Sequence, residues 1–181
     1  FVYVLEGTIA VQRLDEEAFD LAEGHFAYFP ASDEHALIAS SKAKLLIFEK
    51  PFTESTVFLD ARAEFHTGDA WAIDGKPFMG DEATCLRTLL PTDTAYDMAI
   101  NLFTFQPGAV LPFVETHIME HGLYLLEGQG IYRLDEHYYP VEAGDTIWMG
   151  SYCPQWFCAY GKTQSTYIYY KDVNRDPLAQ S

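Results

Sequence analysis

Between Val114 and Gly130 the chain reads VETHIMEHGLYLLEGQG, which sets Glu115, His117, Glu120 and His121 within seven positions. Two imidazoles and a carboxylate are donors suited to a borderline divalent metal such as Mn, Fe or Zn. Which carboxylate joins the imidazoles depends on the element that carries them. On a helix, His117, Glu120 and His121 share a face. On a strand, residues two or four apart point the same way, so Glu115, His117 and His121 converge and Glu120 faces away.

The local sequence favours the strand. Gly122 follows His121 at once, Thr116 and Ile118 are poorer helix formers, and GLYLLEGQG reads as strand broken at Gly128 and Gly130. HIMEH also fits the H-x-x-E-H spacing of inverted zinc peptidases, but that chemistry needs the helix. The bland alternative has hydrogen-bonded core histidines and Glu115 in an ion pair. It would suit a lone histidine better than three ligand residues at one parity.

The elements that must position these residues come from a repeat. YVLEGTIAVQRLDEEAFDLAEGHFAYFPASDEH, from Tyr3, aligns with YLLEGQGIYRLDEHYYPVEAGDTIWMGSYCPQ, from Tyr124. Glu6-Gly7 meets Glu127-Gly128, Arg13-Leu14-Asp15 meets Arg133-Leu134-Asp135, Gly24 meets Gly144 and His35 meets Gln155. One unit is used twice, and the first copy opens in mid-strand at FVYVLEG, so its first part is expected upstream. Short alternating or aromatic runs such as GIYRL, DTIWM and STYIYY, with turn signals every eight to twelve residues, predict an all-β sandwich or barrel. The expected division is residues 1–50 for an incomplete first unit, 51–82 for a connecting segment that can add an edge strand, and 83–181 for the second unit and a polar tail.

Composition bounds the partners. With 49% hydrophobic and 15% aromatic residues over 181 positions, the chain can bury a sizeable core. Eleven basic against 27 acidic residues give a net charge of -16, which repels a phosphate backbone and argues against nucleic acid. No apolar run is long enough for a membrane span. Cys85, Cys153 and Cys158 are too few for a disulfide scaffold and read as reduced thiols in a cytosol-like compartment, cytoplasmic if the source is bacterial. Any targeting segment would precede Phe1. A metal role for the Cys153/Cys158 pair is the weaker reading, since free cysteine is usually a small buried hydrophobe.

The motifs resemble the cupin family, whose small double-stranded β-barrels bind metal through G-x5-H-x-H-x3,4-E-x6-G and G-x5-P-x-G-x2-H. Here Gly108 is followed by Glu115-x-His117-x3-His121-x6-Gly128, and the second motif reads Gly144-x5-Gly150-x-Tyr152-x2-Gln155. Glutamate replaces the first ligand, histidine takes the glutamate's place, and glutamine replaces the last histidine. The first copy keeps Gly24-x5-Pro30-x-Ser32-x2-His35, but His35 alone reads as structural and no metal is assigned there.

Glu, His, His and Gln in these four slots resemble the bicupin family of (S)-ureidoglycine aminohydrolases, and the likeness continues through LLEGQGIYRL, YPVEAGDTIWM and YKDVNR. The resemblance implies two jelly-roll barrels, the N-terminal one truncated here, in a chain that forms a homo-oligomer. It implies Mn(II) on Glu115, His117, His121 and Gln155, with Fe or Zn left open by the imidazoles. It further implies a small ureido acid held by Glu115, Tyr132, Gln155, Tyr167 and Lys171, with Lys171 and Tyr167 catalytic. The implied reaction is hydrolysis of (S)-ureidoglycine to (S)-ureidoglycolate and ammonia in purine catabolism. Two rivals stand beside it: a cupin dioxygenase, since two histidines and a carboxylate resemble the Fe(II) facial triad, and a ligand-binding cupin without catalysis.

Overall fold

In the computed structural model, residues 1–55 and 62–176 are described; the end of the expected tail and part of the connecting segment fall outside them. Among the described residues no helix occurs, and none is long and apolar enough to cross a membrane. The first copy supplies β1 (Val2–Glu6), β2 (Thr8–Arg13), β3 (Phe19–Ala22), β4 (His25–Tyr28), β5 (His35–Ile38) and β6 (Lys44–Ile47). Next come β7 (His66–Asp69), β8 (Lys76–Phe78), β9 (Asp81–Thr88) and β10 (Met98–Phe105). The second copy supplies β11 (His121–Glu127), β12 (Gln129–Leu134), β13 (His137–Glu142), β14 (Thr146–Met149), β15 (Gln155–Ala159) and β16 (Ser165–Asp172).

Each copy folds into two facing antiparallel sheets with the same connections. The first has β6-β1-β4-β7 over β3-β2-β5; the second has β14-β11-β16-β10-β9-β8 over β13-β12-β15. The predicted all-β fold is therefore borne out, with one strand arrangement present in both copies. The stretch between the copies gives an edge strand to each, β7 beside β4 and β8 beside β9.

The repeat extends to the backbone. Left-handed residues recur in register: Gly7 and Gly128 (φ 82° and 77°), Asp15 and Asp135 (59° and 54°), Ser32 and Tyr152 (70° and 64°). Glycine is required at the first pair, because an added Cβ would stand 2.7 Å from the Lys42 carbonyl oxygen at Gly7 and 2.3 Å from that of Gln164 at Gly128. Aspartate tolerates the left-handed turn at the second pair.

Alternation then sorts the side chains. On β16, Tyr167, Tyr169 and Lys171 point into the second barrel, while Ile168 and Tyr170 join the contact between the two units. That contact also buries Phe26, Ile100 and Leu102 completely, each worth about 1.5–3 kcal/mol. Lys50 adds a polar tie across it, with Nζ 2.8 Å from Asp172 and 3.4 Å from the buried Asp97. β16 is covered on both faces, and its β-branched and aromatic sequence suits that position.

Candidate metal and substrate site

The histidine-rich stretch is not one continuous strand. Glu115 lies in an isolated bridge, His117 in irregular chain, and β11 starts only at His121. Gly130 is no break either: it sits inside β12, where a Cβ would come 2.2 Å from Phe157. The bridge nevertheless holds Glu115 facing the barrel, where it lines the same cavity as His121.

Backbone pairing builds the site. Glu115 and Gln155 are directly opposed, the Glu115 N–H donating to the Gln155 carbonyl at 2.8 Å and the Gln155 N–H returning to Glu115 at 2.9 Å. Pairing of β11 with β16 sets His121 opposite Lys171, Leu123 opposite Tyr169 and Leu125 opposite Tyr167. Tyr132, on β12, lies opposite Phe157. His117 is held by its carbonyl, which accepts the Tyr152 N–H at 2.7 Å, and by its ring, whose Nδ1 is 3.0 Å from the Met119 carbonyl oxygen. A carbonyl only accepts, so that Nδ1 carries the proton and the Nε2 lone pair is left to accept, here from the Gln155 amide.

The two imidazole rings lie 4.6 Å apart, and the Gln155 amide nitrogen reaches both, 2.9 Å from His117 Nε2 and 3.3 Å from His121 Nδ1. Its oxygen accepts from the Tyr132 hydroxyl at 3.4 Å. Burial, with Lys171 nearby, lowers the His117 pKa; burial, His117 and Lys171 lower that of His121 to about 3. Both rings are therefore neutral near pH 7 and available as metal ligands. Burial also lowers the Lys171 pKa, against the pull of Glu115, and raises those of Tyr132 and Tyr167, so both phenols stay protonated.

Among the described residues no three His, Cys, Asp or Glu side chains are gathered closely enough to hold an ion by themselves. The donor set needs Gln155, whose amide can turn its oxygen toward the imidazoles. His121 Nε2 is buried without a hydrogen-bond partner, a condition that costs about 1–3 kcal/mol unless something further satisfies the ring. Two neutral imidazoles, a carboxylate and an amide, with no thiolate, fit a divalent ion of the Mn, Fe or Zn kind.

A cavity of about 160 Å³ opens against this set, the size of a small acid rather than a drug-sized ligand. Glu115, His121, Gln155, Tyr132, Tyr167 and Lys171 all line it. His117 does not, and reaches the group only through Gln155 and His121. Glu120 is outside, accepting from the Tyr170 hydroxyl at 2.7 Å. Cys153 and Cys158 are free thiols that share no site.

Five further residues line the cavity beyond those the sequence singles out, Phe78, Phe103, Leu111, Leu123 and Tyr169. Tyr169 has the same parity as Tyr167 and Lys171, so the strand rule already implies it. Phe78 arrives from the connecting stretch through the pairing of β8 with β9, and no local signal marks it.

Known proteins agree with this architecture. The cupin-domain family matches residues 1–49 and 101–168, one segment in each copy. The Arabidopsis thaliana (S)-ureidoglycine aminohydrolase is 41% identical over 98% of this chain and 58% of its own length. The Escherichia coli (strain K12) protein of the same name is 33% identical over 97% of this chain and 67% of its own. A probable rice (Oryza sativa subsp. japonica) counterpart is 42% identical over 98% of this chain and 56% of its own length, so the chain spans little more than half of either plant relative. Among solved structures, protein Ylba from E. coli superposes with a TM-score of 0.76 at 30% identity, covering 97% of this chain and 67% of that one. With matched motifs in both barrels and these relatives along nearly its whole length, the chain belongs to the cupin family, in the bicupin branch whose members are named (S)-ureidoglycine aminohydrolase.

Proposed function

We propose that this chain hydrolyses (S)-ureidoglycine to (S)-ureidoglycolate and ammonia, with Mn(II) on Glu115, His117, His121 and Gln155. The observation that carries the reading is the rung that sets Lys171 across from His121, beside Glu115 and Gln155, in a cavity fit for a small acid. The names of the relatives supply the substrate; the cavity supplies a place for its charge.

Lys171 is the cation of this cavity and counters the substrate's carboxylate. Glu115 keeps the ammonium favourable despite its burial. Tyr132 and Tyr167, held protonated, donate hydrogen bonds and do not act as bases at neutral pH. Bound Mn(II) supplies Lewis-acid polarisation and a fixed orientation of the acid, with no redox step. The C–N bond to the α-amine breaks and a C–O bond to water forms. Lys171, with its lowered pKa, is placed to give a proton to the departing amine and to take back the proton that the attacking water sheds.

The test is ammonia release from freshly generated (S)-ureidoglycine, with Mn(II) and with chelator, in air and under anaerobic conditions. Metal-dependent release that persists without O2 is expected. Release that stops without O2 would move the chain to the dioxygenases, and no release with no bound metal would leave a ligand-binding cupin.

A further inference from the structure

The inner face of the second barrel carries a polar pair that neither the donor set nor the assigned substrate residues use. Asn101, on β10, is buried among Phe103, Phe105 and other apolar side chains. Its register partner on β16 is Tyr169, and both point inward. On this rung the Asn101 amide lies beside the Tyr169 phenol, which also feels the charge of Glu115. The Tyr169 ring packs 5.6 Å from His121 and 5.8 Å from Tyr167, and the residue lines the cavity. A buried asparagine in an apolar wall needs a reason, because its amide costs free energy to desolvate unless it is bonded. The Tyr169 phenol is the polar group that the register sets beside it, and Tyr169 lines the cavity, so its hydroxyl is available to whatever occupies that space.

Resting on the function proposed above, we infer that Tyr169, with Asn101 as its cross-strand partner, is a substrate-positioning residue whose hydroxyl donates to the ureido carbonyl oxygen. The choice of that oxygen follows from strand spacing. Lys171 and Tyr169 are alternate residues on β16, about 7 Å apart along the strand. A ureido acid whose carboxylate lies at Lys171 therefore carries its ureido group toward Tyr169, one rung deeper. Phe78 and Leu123, which also line the cavity, leave this end otherwise apolar. A donor aimed into such a pocket discriminates against acids that offer it no acceptor.

The test compares wild type with Tyr169→Phe, which keeps the ring, and Asn101→Leu, reading ammonia release, KM, kcat and bound metal in the full chain. For Tyr169→Phe the expected result is a KM roughly 3- to 15-fold higher, the loss of one neutral hydrogen bond, with kcat within about twofold. Bound metal stays at the wild-type level, and Asn101→Leu shifts KM in the same direction by less. An unchanged KM in Tyr169→Phe overturns the proposal while leaving the hydrolase reading intact. Loss of metal in step with activity also overturns it, since Tyr169 would then serve the His121 ring. Wild-type protein that releases no ammonia fails the parent reading, and the inference with it.

Discussion

The two barrels share a skeleton and differ in what they put inside it. Both pair their strands in the same order, and both carry left-handed turns at matching places. In the second barrel the inward positions of β11, β12 and β16 hold Leu123, Leu125, Tyr132, Tyr167 and Tyr169. In the first, the pairings of β1 with β6 and β2 with β5 place Val2, Val4, Val11 and Leu45 there, while Ile47, opposite Val2, is exposed. Its central core is aliphatic, with Val4, Ile9, Val11 and Leu21 at or near zero exposure.

His35 takes the place of Gln155 but not its role. Its ring stacks on Phe29 at 3.6 Å, and its Nδ1 is 2.8 Å from the Asp33 carbonyl oxygen. The cleft beside it, about 370 Å³, is larger than the site in the second barrel. Volume alone would choose it. However, Asp33 is tied to Arg13 at 2.7 Å and Lys50 to Asp97 and Asp172, so its charges already answer one another. The left-handed turns recur in both barrels, while the inward side chains of the described strands differ.

The sharpest way to break this contrast is to truncate the matched pair. Gln155→Ala should lower ammonia release by about 100-fold or more and lose bound metal with it, whereas His35→Ala should change either by less than twofold. Elemental analysis beside the assay decides. Full turnover with unchanged metal content in Gln155→Ala would remove the residue from the site.

Packing gives the next largest effects. Ile9 is fully buried where the second barrel has Gly130, and Ile9→Ala should cost about 2–5 kcal/mol in a denaturant titration. Val11→Tyr copies Tyr132 into the first barrel and should cost about 1–3 kcal/mol by overpacking. A neutral Val11→Tyr would show that the first barrel has room for a site after all. Tyr132→Phe, by contrast, should leave stability within about 1 kcal/mol, because its hydroxyl makes one long bond, 3.4 Å, to Gln155.

Much of this contrast is legible in the residues themselves. Alternation in STYIYY and GIYRL marks the strands, and the recurrence of Glu-Gly and Arg-Leu-Asp marks the two barrels. The motif's substitutions single out Glu115 and Gln155, which are backbone partners in the fold. What alternation does not convey is where regular pairing stops. Glu115 and His117 belong to a chain that touches β15 through two isolated bridges, Val110 with Cys158 and Glu115 with Gln155, a tertiary fact with no local pattern. Tyr169 is legible by the same rule as its neighbours, since parity that admits Tyr167 and Lys171 admits it too. Asn101 becomes meaningful only through its cross-strand partner.

The smallest effect concerns pH and belongs to the second barrel, where the His117 and His121 rings lie 4.6 Å apart. Burial, first of all, lowers the pKa of both His117 and His121, the latter to about 3 from an ordinary 6.5. Above pH 6.5 the rings are neutral in folded and unfolded chains alike, and their contribution to stability is fully present. As pH falls below 6.5 the unfolded chain takes up protons that the folded one refuses, so stability declines, for His121 down to about pH 3. Chelator-treated protein should therefore show a flat denaturation midpoint from pH 8 to 7 and a falling one from 6.5 to 5. His121→Leu should flatten that fall. An equally steep decline in the variant would assign it to other groups and leave the two barrels alike in this respect.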